Sequence, residues 1–257
     1  RNLSDSYAGN VVEVRRSSDD AVRSFTAAEV TDGTLVTWVL GDAASLVGNA
    51  QYFNGTDSQV DFGAVPSTGG SNYLNVNASA LCTTTGSFEV IFSRYGGPTD
   101  VGWLIGKNDS DAAYAQVSND GTTSGRVTVS GTTNIQDGQL HDIRLIVSGG
   151  FARLYVDGVQ EGGDVAFAGN VFTATANVFA GSAAVSAFTN GIVTAPRVVD
   201  SGSNTVFNAT GLGNDPWVDT IGSNDGTPSN LVAFTGQGFD GTVSKWYDQS
   251  TTSGVPN

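Results

Sequence analysis

Residues 87–163 constrain the fold of this chain more than any other stretch. They consist of short segments in which apolar and polar residues alternate, and each segment stops at Gly, Asn-Asp-Gly or Asp-Gly. Alternation with a period of two, broken by residues that favour tight turns, is typical of consecutive antiparallel strands. The stretch therefore predicts an all-β protein whose successive strands are joined by short turns.

The segment 140–156 shows this pattern most clearly. On two neighbouring strands, every second side chain is predicted to face the same way. These side chains are His141, Ile143, Leu145, Val147, Ala152, Leu154 and Val156. Gly149-Gly150 would join the two strands, and Asp157-Gly158 would supply the positive φ angles of a two-residue hairpin turn.

Six segments of the central region each have one apolar side to bury, so we expect them to form two facing sheets around a shared core. They are residues 86–93, 102–106, 112–118, 126–130, 140–148 and 152–156. Gly, Ser, Thr, Asn and Asp punctuate the rest of the chain, which favours many short strands over long helices.

Segments outside the centre carry weaker signals. Residues 10–16 and 33–39 (GTLVTWV) both look like strands, which would place Trp38 in a core. Trp246 is predicted to be a core residue as well. Asn54-Gly55 is a strong two-residue turn signal and predicts a hairpin between the apolar segments on either side of it.

Three further features concern strand position. Residues 71–79 are predicted to form an edge strand. Pro196 lacks a backbone donor, so the strand that contains it should lie at an edge or carry a bulge. Residues 201–230 are rich in Gly, Asn, Asp and Ser, which predicts a loop with Trp217 as its one large anchor.

Length and charge limit the kinds of protein and partner. With 257 residues and 39% hydrophobic content, the chain can form one large sandwich or two small domains. Its 25 acidic and 11 basic residues give a net charge of −14, which repels phosphate backbones and anionic lipid. We therefore expect neither nucleic acid nor membrane insertion, and no run approaches the roughly 18 apolar residues of a membrane span.

Single cysteine and histidine residues exclude several chemistries. Cys82 alone cannot form an intrachain disulfide or a thiolate metal site, and we interpret it as a small buried hydrophobe. His141 alone rules out multi-histidine zinc sites, and its place within a strand favours a structural role. The chain has no methionine and opens at Arg1, so we expect a processed product or part of a longer polypeptide.

The middle of the chain resembles the laminin-G-like, concanavalin-A-like jelly-roll family. Four segments carry the resemblance in the family's order: 52–63, 86–93, 137–160 and 188–199. The third is the most specific, although Leu140 replaces the tryptophan that the family usually has before the histidine. The resemblance implies a jelly-roll β-sandwich of antiparallel strands, with a laminin-G-like core at residues 50–200.

The two ends resemble a different family. VEVRRSSDDA (12–21) and VSKWYDQS (243–250) are similar to two short motifs of the arabinofuranosidase B catalytic domain, motifs that also occur in phage virion and bacterial surface proteins. In the enzyme family the two motifs lie close together. We therefore expect residues 1–257 to form a single unit in which the terminal segments, 1–49 and 201–257, pair or pack together, within one chain or between copies.

Catalysis has little support in the sequence. Glycoside hydrolysis needs two suitably spaced carboxylates, and jelly-roll glucanases usually carry them as E-x-D-x-x-E on one strand. None of the four glutamates, Glu13, Glu29, Glu89 and Glu161, begins that pattern. Glu89 faces away from Phe88 and Val90 and could line a concave face, but a solvated strand residue is the alternative. Asp19 and Asp248 lie in the end motifs without thereby being the enzyme family's catalytic residues.

Sugar binding without chemistry requires less. Aromatic faces stack on the apolar faces of sugar rings, while amides and carboxylates bind the hydroxyl groups. Tyr95, Trp103 and Tyr114 lie near strand ends or loops of the central region and are candidates for such stacking. Core packing is the alternative for each of them, and it is the favoured one for Trp103.

Calcium is the metal that best suits an acidic chain of this composition, because it prefers carboxylate and carbonyl oxygens. Asp100, Asn108, Asp109 and Asp111 flank one strand–loop unit and are the candidate ligands. Clusters of this kind also arise by chance in an Asp-rich chain, and the EF-hand spacing is absent.

Taken together, these features favour a non-catalytic structural or adhesion module on a virion or extracellular surface, such as a phage decoration, fibre or tail component. Its partners would be surface glycans, other surface proteins or further copies of itself in a homo-oligomer. A lectin-like carbohydrate-binding domain is the first alternative, and a glycoside hydrolase related to arabinofuranosidases is the second.

Overall fold

A computed structural model describes residues 8–16, 20–41, 46, 50–66, 68–184, 186–209, 217–235 and 241–247. The strands are β1 (Asn10–Arg16), β2 (Val22–Thr26), β3 (Gln51–Asn54), β4 (Gln59–Asp61), β5 (Leu74–Cys82), β6 (Glu89–Tyr95), β7 (Val101–Lys107), β8 (Ala112–Ser118), β9 (Arg126–Asn134), β10 (His141–Ser148), β11 (Phe151–Val156), β12 (Val159–Ala166), β13 (Phe179–Ala180), β14 (Asn190–Val199), β15 (Thr205–Asn208), β16 (Thr227–Ser229), β17 (Val232–Ala233) and β18 (Gly241–Trp246). Two short helices, α1 (Ala27–Thr31) and α2 (Thr34–Leu40), lie near the start of the chain.

Two antiparallel sheets enclose the main hydrophobic core. One contains β12-β11-β10-β5-β14-β3-β17 in spatial order with β15 beside β14, and the other contains β16-β4-β13-β6-β7-β8-β9. The core draws on both sheets: Leu145 and Leu154 come from the first, and Phe92, Trp103 and Ile105 come from the second. All five are fully buried. These are the two facing sheets that the alternating pattern predicts, arranged in the jelly-roll sandwich that the resemblance implies.

The six predicted central strands all form, as β6 to β11. Buried and partly exposed residues alternate without exception along β10, with His141, Ile143, Leu145 and Val147 on the buried side. At the β11–β12 turn, Asp157 has a φ of 51° and Gly158 a φ of 80°, as a two-residue hairpin turn with two positive φ angles requires.

The Asn54-Gly55 hairpin prediction was wrong. The turn itself forms, and Gly55 has a φ of 73°. However, β3 pairs with β14 and β17 in one sheet, whereas β4 pairs with β13 and β16 in the other. The Asn54 side-chain oxygen accepts hydrogen bonds from the backbone N–H groups of Thr56 (2.9 Å) and Asp57 (3.0 Å), so this connection carries the chain from one sheet to the other.

Two strand positions also differ from expectation. The segment predicted as an edge strand is the central strand β5, which pairs with β10 on one side and β14 on the other. The strand that contains Pro196, β14, is also internal, but its register with β5 shifts between Thr194 and Arg197, where Ala195 has a φ of 49°. Pro196 thus lies at a bulge, one of the two positions predicted for it.

Residues 33–39 are helical rather than extended. Leu35, Trp38 and Val39 recur at helix spacing in α2 and pack against the buried face of β1 and β2. The Trp38 ring is only half-buried and contacts Phe25 edge to face at 5.3 Å. The prediction that Trp246 is a core residue was wrong, because 65% of its surface is exposed.

The two ends meet in a third sheet of order β18-β1-β2. Strand β18 runs antiparallel to β1, and Val12 lies opposite Trp246. The Glu13 carboxylate accepts hydrogen bonds from Ser244 (3.0 Å) and Lys245 (3.5 Å). The described parts of the two terminal motifs are therefore in direct contact within one chain, in a sheet of their own rather than as strands of the sandwich.

Trp217, Cys82 and His141 have the structural roles expected of them. Trp217 is fully buried and packs edge to face against Phe62, although short strands β15 and β16 flank it. Cys82 is buried. Burial alone would lower the pKa of His141, but hydrogen bonds to Asp157 (2.7 Å) and Asp137 (3.0 Å) raise it above its ordinary value.

Candidate functional site

A pocket of about 340 Å³ opens on the outer face of the sheet that contains β6 to β9. We call it the aromatic pocket. Strand side chains Val90, Leu104, Tyr114, Gln116 and Arg126 line one side, together with Phe88 before β6 and Tyr95 at its end. Ala183, Ser186 and Ala187 line the other side. The volume is at the small end of the range for small-molecule sites, roughly 300–1,000 Å³.

Strand alternation places these residues outside the core. In β7, Trp103 and Ile105 point into the sandwich, so Leu104 between them points outward. In β8, Ala113 and Ala115 are core residues, and Tyr114 and Gln116 line the pocket. The outer face of this sheet is therefore apolar and aromatic where solvated polar residues would be expected.

Gly106 keeps the space between β6 and β8 open. It lies between Val90 and Tyr114 across the sheet. A Cβ atom at this position would lie 2.1 Å from the carbonyl oxygen of Glu89, so only glycine allows β6 to approach this closely. Because Gly106 has no side chain, the space between Val90 and Tyr114 stays open at this position of β7.

The loop that covers the pocket is held in an unusual backbone conformation. Ala183 and Ser186 exchange two backbone hydrogen bonds, of 3.0 and 3.1 Å. Ala184 and Ala187 both have a φ of 54°, in the left-handed region that residues other than glycine rarely adopt. Such local strain is found most often at functional sites, where the surrounding structure offsets its cost.

The aromatic side chains of the pocket remain partly accessible. Phe88 and Tyr114 pack edge to face, with ring centroids 5.4 Å apart, and 37% of Phe88 is exposed. Burial is the main cause that raises the pKa of Tyr114 above its ordinary value, while Thr128, Arg126 and Gln116 oppose the shift. The phenol is therefore neutral at physiological pH and can both donate and accept a hydrogen bond.

Polar groups lie beside these rings. Gln116 is almost fully buried, its amide nitrogen donates to the Thr128 hydroxyl (3.3 Å), and its amide oxygen accepts from Arg126 Nη1 (3.0 Å). Arg126 itself is exposed. Aromatic faces next to a fixed amide and a guanidinium can stack on a sugar ring and bind its oxygen atoms.

Of the three predicted sugar-binding residues, the structure brings together Tyr95 and Tyr114 in the aromatic pocket. Trp103 lies on the opposite face of the same sheet. It is fully buried, its Nε1 donates to the Thr68 carbonyl (3.0 Å), and its ring packs 4.9 Å from that of Phe92. It therefore cannot stack on a sugar, and its alternative role as a core residue is the correct one.

Sequence reasoning missed most of the pocket. The sequence analysis does not predict four of its residues, Phe88, Leu104, Gln116 and Arg126. Leu104, Gln116 and Arg126 each lie next to an inward-facing residue of their strand, and Phe88 lies directly before β6. An apolar residue on each face of a strand is a signal that could have found Phe88 and Leu104, but it could not have found the polar Gln116 and Arg126.

The four candidate calcium ligands do not form one site. Asp100 precedes β7, whereas Asn108, Asp109 and Asp111 follow its last residue, roughly 20 Å further along the strand. The Asp100 carboxylate accepts hydrogen bonds from Thr175 N (2.7 Å) and Oγ1 (2.8 Å) and from Ala176 N (2.9 Å). Its oxygens thus fix a neighbouring loop.

The other three candidates belong to the β7–β8 turn. The Asn108 side-chain oxygen accepts from the backbone N–H groups of Ser110 (2.9 Å) and Ala112 (3.1 Å), and Asp111 forms an ion pair with Lys107 (2.8 Å). The described part of the chain contains no group of three or more His, Cys, Asp or Glu residues arranged to hold a metal ion.

Glu89 is buried between the sheets rather than solvated. It faces away from Phe88 and Val90, as predicted, but those two residues line the outer pocket, so Glu89 points into the protein with 1% of its surface exposed. One carboxylate oxygen accepts from Asn190 N (3.0 Å), and the other lies 3.8 Å from Lys107 Nζ with no hydrogen bond. Burial raises the pKa of Glu89 to about 7.

The remaining glutamates are distant in the fold and already engaged. Glu13 lies in the terminal sheet, Glu29 caps helix α1, and Glu161 on β12 accepts hydrogen bonds from Thr132 and Thr133. Asp19 and Asp248 fall outside the described residues. No two of the described glutamates share an element or a hydrogen-bond partner, so they offer no open carboxylate pair.

No family model and no curated protein matches the chain. Among solved structures, a candidate carbohydrate-binding protein from Bacteroides ovatus is similar over 72% of this chain, with a TM-score of 0.53 and 13% identity. This similarity shows the fold alone, a jelly-roll β-sandwich of antiparallel strands. The chain spans 59% of the length of the Bacteroides protein.

Two other solved structures are less similar. Domains LG4–5 of the mouse laminin alpha1 chain match 63% of this chain and 43% of their own length, with 17% identity and a TM-score of 0.47. A heptameric SAP-like pentraxin from Limulus polyphemus matches 75% of this chain and 98% of its own, with 12% identity and a TM-score of 0.47. None of the described helices has the length and apolar character needed to cross a bilayer.

Proposed function

We propose that the protein is a non-catalytic glycan-binding module and that the aromatic pocket holds a sugar residue. The observation that carries the proposal is that Tyr95 and Tyr114 both line one pocket on the outer face of a sheet, together with Gln116 and Arg126. The description of the Bacteroides ovatus protein as a candidate carbohydrate-binding protein agrees with it.

The chemistry of the pocket suits this role. The apolar C–H face of a pyranose can lie against an aromatic ring, and its hydroxyls need donors and acceptors held at fixed positions. Gln116 is held by Thr128 on one side and Arg126 on the other, so its amide is preorganised and loses little freedom on binding. The described residues place no charged pair here that a sugar would have to separate.

Replacing Tyr114 with Ala is expected to weaken glycan binding by about tenfold or more, because the ring supplies stacking area in the pocket. A glycan array identifies the ligand, and calorimetry on that ligand measures the affinity. Tyr155→Ala is the matched control, since Tyr155 lies on β11 in the other sheet and contacts Gln160. Equal affinity of wild type and Tyr114→Ala would contradict the proposed site.

No glycoside cleavage is expected on plant arabinans, glucans or bacterial polysaccharides. Glu89 has the raised pKa that a catalytic acid needs. Its carboxylate is nevertheless buried beside Lys107, where a glycosidic bond cannot reach it. Reducing-end assays over a long incubation measure this. Turnover that disappears in Glu89→Gln would establish a glycosidase instead.

The proposal includes a location on a virion or extracellular surface, as a decoration, fibre, tail or adhesion component that assembles with other copies or other surface proteins. It is supported by the resemblance of residues 12–21 and 243–250 to motifs of phage virion and bacterial surface proteins, and by the contact of these motifs through β1 and β18. Capsid and tail genes beside the coding gene would support this location, and a purely metabolic neighbourhood would count against it.

A further inference from the structure

The charge of the aromatic pocket is opposite to that of the protein as a whole. The chain has 25 acidic residues and a net charge of −14. Yet the residues that line the pocket include no carboxylate, and their single charged group is the guanidinium of Arg126. We propose that the sugar bound there is acidic, and that Arg126 binds its carboxylate. This inference rests on the proposed glycan-binding function and names the class of ligand.

Arg126 is positioned but not neutralised. Its Nη1 donates to the Gln116 side-chain oxygen at 3.0 Å, and Gln116 is almost fully buried. This contact holds one corner of the guanidinium at the pocket. Within the part of the chain that the structure describes, no carboxylate lies within ion-pair distance of Arg126. The remaining N–H groups therefore face solvent, ready to bind an anion.

Arg153 shows how an arginine of this protein binds a carboxylate. Its Nε and Nη2 donate to the two oxygens of Asp164, at 2.7 and 2.8 Å, in the bidentate arrangement that suits a planar carboxylate. Arg126 has the same fork, and none of the described carboxylates binds it. A carboxylate on a bound sugar would occupy the same place relative to Arg126 that Asp164 occupies relative to Arg153.

The acidic residue closest to Arg126 in sequence is already engaged elsewhere. The Asp120 carboxylate accepts hydrogen bonds from the Thr122 backbone N–H (2.8 Å) and from the Ser118 hydroxyl (3.0 Å), which closes the β8–β9 turn. These hydrogen bonds lower the pKa of Asp120, and Arg126 is not among the causes. Asp120 therefore stabilises the turn and does not form an ion pair with Arg126.

A single planar carboxylate is the acidic group that suits the fork of Arg126. The pocket supplies one cation among mostly apolar walls, which balances one negative charge. A ligand with several charges would also be repelled by the protein's net charge of −14. Uronic acids and sialic acids combine a single planar carboxylate with a ring that can lie against Tyr114 or Tyr95. We assign the ligand to this class because a planar carboxylate matches the guanidinium fork, as Asp164 matches that of Arg153.

The test compares matched probes on the full chain. Galacturonic acid is measured against its methyl ester, sialyllactose against lactose, and a singly sulfated oligosaccharide against its desulfated form. At least one carboxylated probe is expected to bind about tenfold or more tightly than its neutral partner. The preference should decrease as salt is raised, because an exposed ion pair is screened.

Arg126→Gln should abolish the preference for the acidic probe, so that the acidic and neutral partners bind the variant with similar affinity. Arg153→Gln removes the same charge from the other sheet and should keep the preference, which separates a local contact from a change in overall charge. Circular dichroism and melting temperature confirm that both variants are folded.

Each outcome decides something different. If neutral and acidic probes bind equally and Tyr114→Ala weakens both, the acidic specificity is wrong while the proposed function stands. If Arg126→Gln keeps the preference, or if the sulfated probe binds best, the assignment of a carboxylate to Arg126 is wrong. If no probe and no array glycan binds, the proposed function fails together with the inference.

Discussion

Replacing Leu145 with Asp is expected to leave the protein unfolded at 25 °C. Leu145 is fully buried in β10, directly between Val76 of β5 and Leu154 of β11. An aspartate there would be an unpaired charge in an apolar core, at a cost of several kcal/mol, in addition to the roughly 2–5 kcal/mol lost with the leucine side chain. That loss is comparable to the whole stability of a typical domain, about 5–15 kcal/mol.

The neighbouring residue provides the control for this prediction. Ile146 lies on the opposite side of β10, is only partly buried and lies opposite Arg153. Ile146→Asp should therefore fold and melt cooperatively, with a much smaller loss of stability. Circular dichroism melts of both variants make the comparison. A cooperative, wild-type melt of Leu145→Asp would show that the assigned inner face of β10 is wrong.

Replacing Glu89 with Gln is expected to stabilise the protein at alkaline pH and to change little at acidic pH. Burial is the main cause that raises the pKa of Glu89 from 4.5 to about 7. A carboxyl group whose pKa is higher in the folded than in the unfolded protein contributes stability below its unfolded pKa. This contribution is lost as the pH rises through the folded pKa, so between about pH 4.5 and 7 the wild type loses stability that the Gln variant keeps.

The size of the effect follows from the same shift. A difference of this size corresponds to roughly 3–4 kcal/mol above pH 7. Lys107 would not be left unpaired, because Asp111 (2.8 Å) and the Ser87 carbonyl (2.7 Å) still accept its hydrogen bonds.

Urea unfolding at pH 5 and pH 8 measures this effect, and Glu161→Gln is the control of opposite sign. Hydrogen bonds from Thr133 and Thr132 lower the pKa of Glu161, so its ionised form stabilises the fold at neutral pH. That variant should be destabilised at pH 8 and approach the wild type as the pH falls. If Glu89→Gln were instead less stable than the wild type at pH 8, the ion pair with Lys107 would be net stabilising, contrary to the prediction.

Much of the central sandwich can be predicted from local pattern alone. The two-residue turns at Gly149-Gly150 and Asp157-Gly158 have the positive φ angles that their residue types favour. The alternation in 140–156 correctly assigns every core-facing residue, because the inner side of β10 and β11 is mostly apolar whereas the outer side mixes charged and polar residues with apolar ones. Where the two faces of a strand differ in polarity, the sequence determines the fold directly.

The candidate site could be predicted only in part. Tyr95 and Tyr114 were chosen for their residue type, and the structure places both in one pocket. Trp103 was chosen for the same reason and lies in the core. Residues on both faces of β7 are apolar, so alternation says that Trp103 and Leu104 face opposite ways but not which of them faces inward.

By itself, the sequence determined the central strands, their turns and the alternation of their faces. Only the tertiary structure decided which face of β6 is internal, because Glu89 is tolerated inside the protein through Lys107 on the neighbouring strand. It also decided that β3 and β4 join different sheets and that β1 pairs with β18 across more than 200 residues of chain. Such pairings depend on burial and partners distant in sequence, which no local pattern contains.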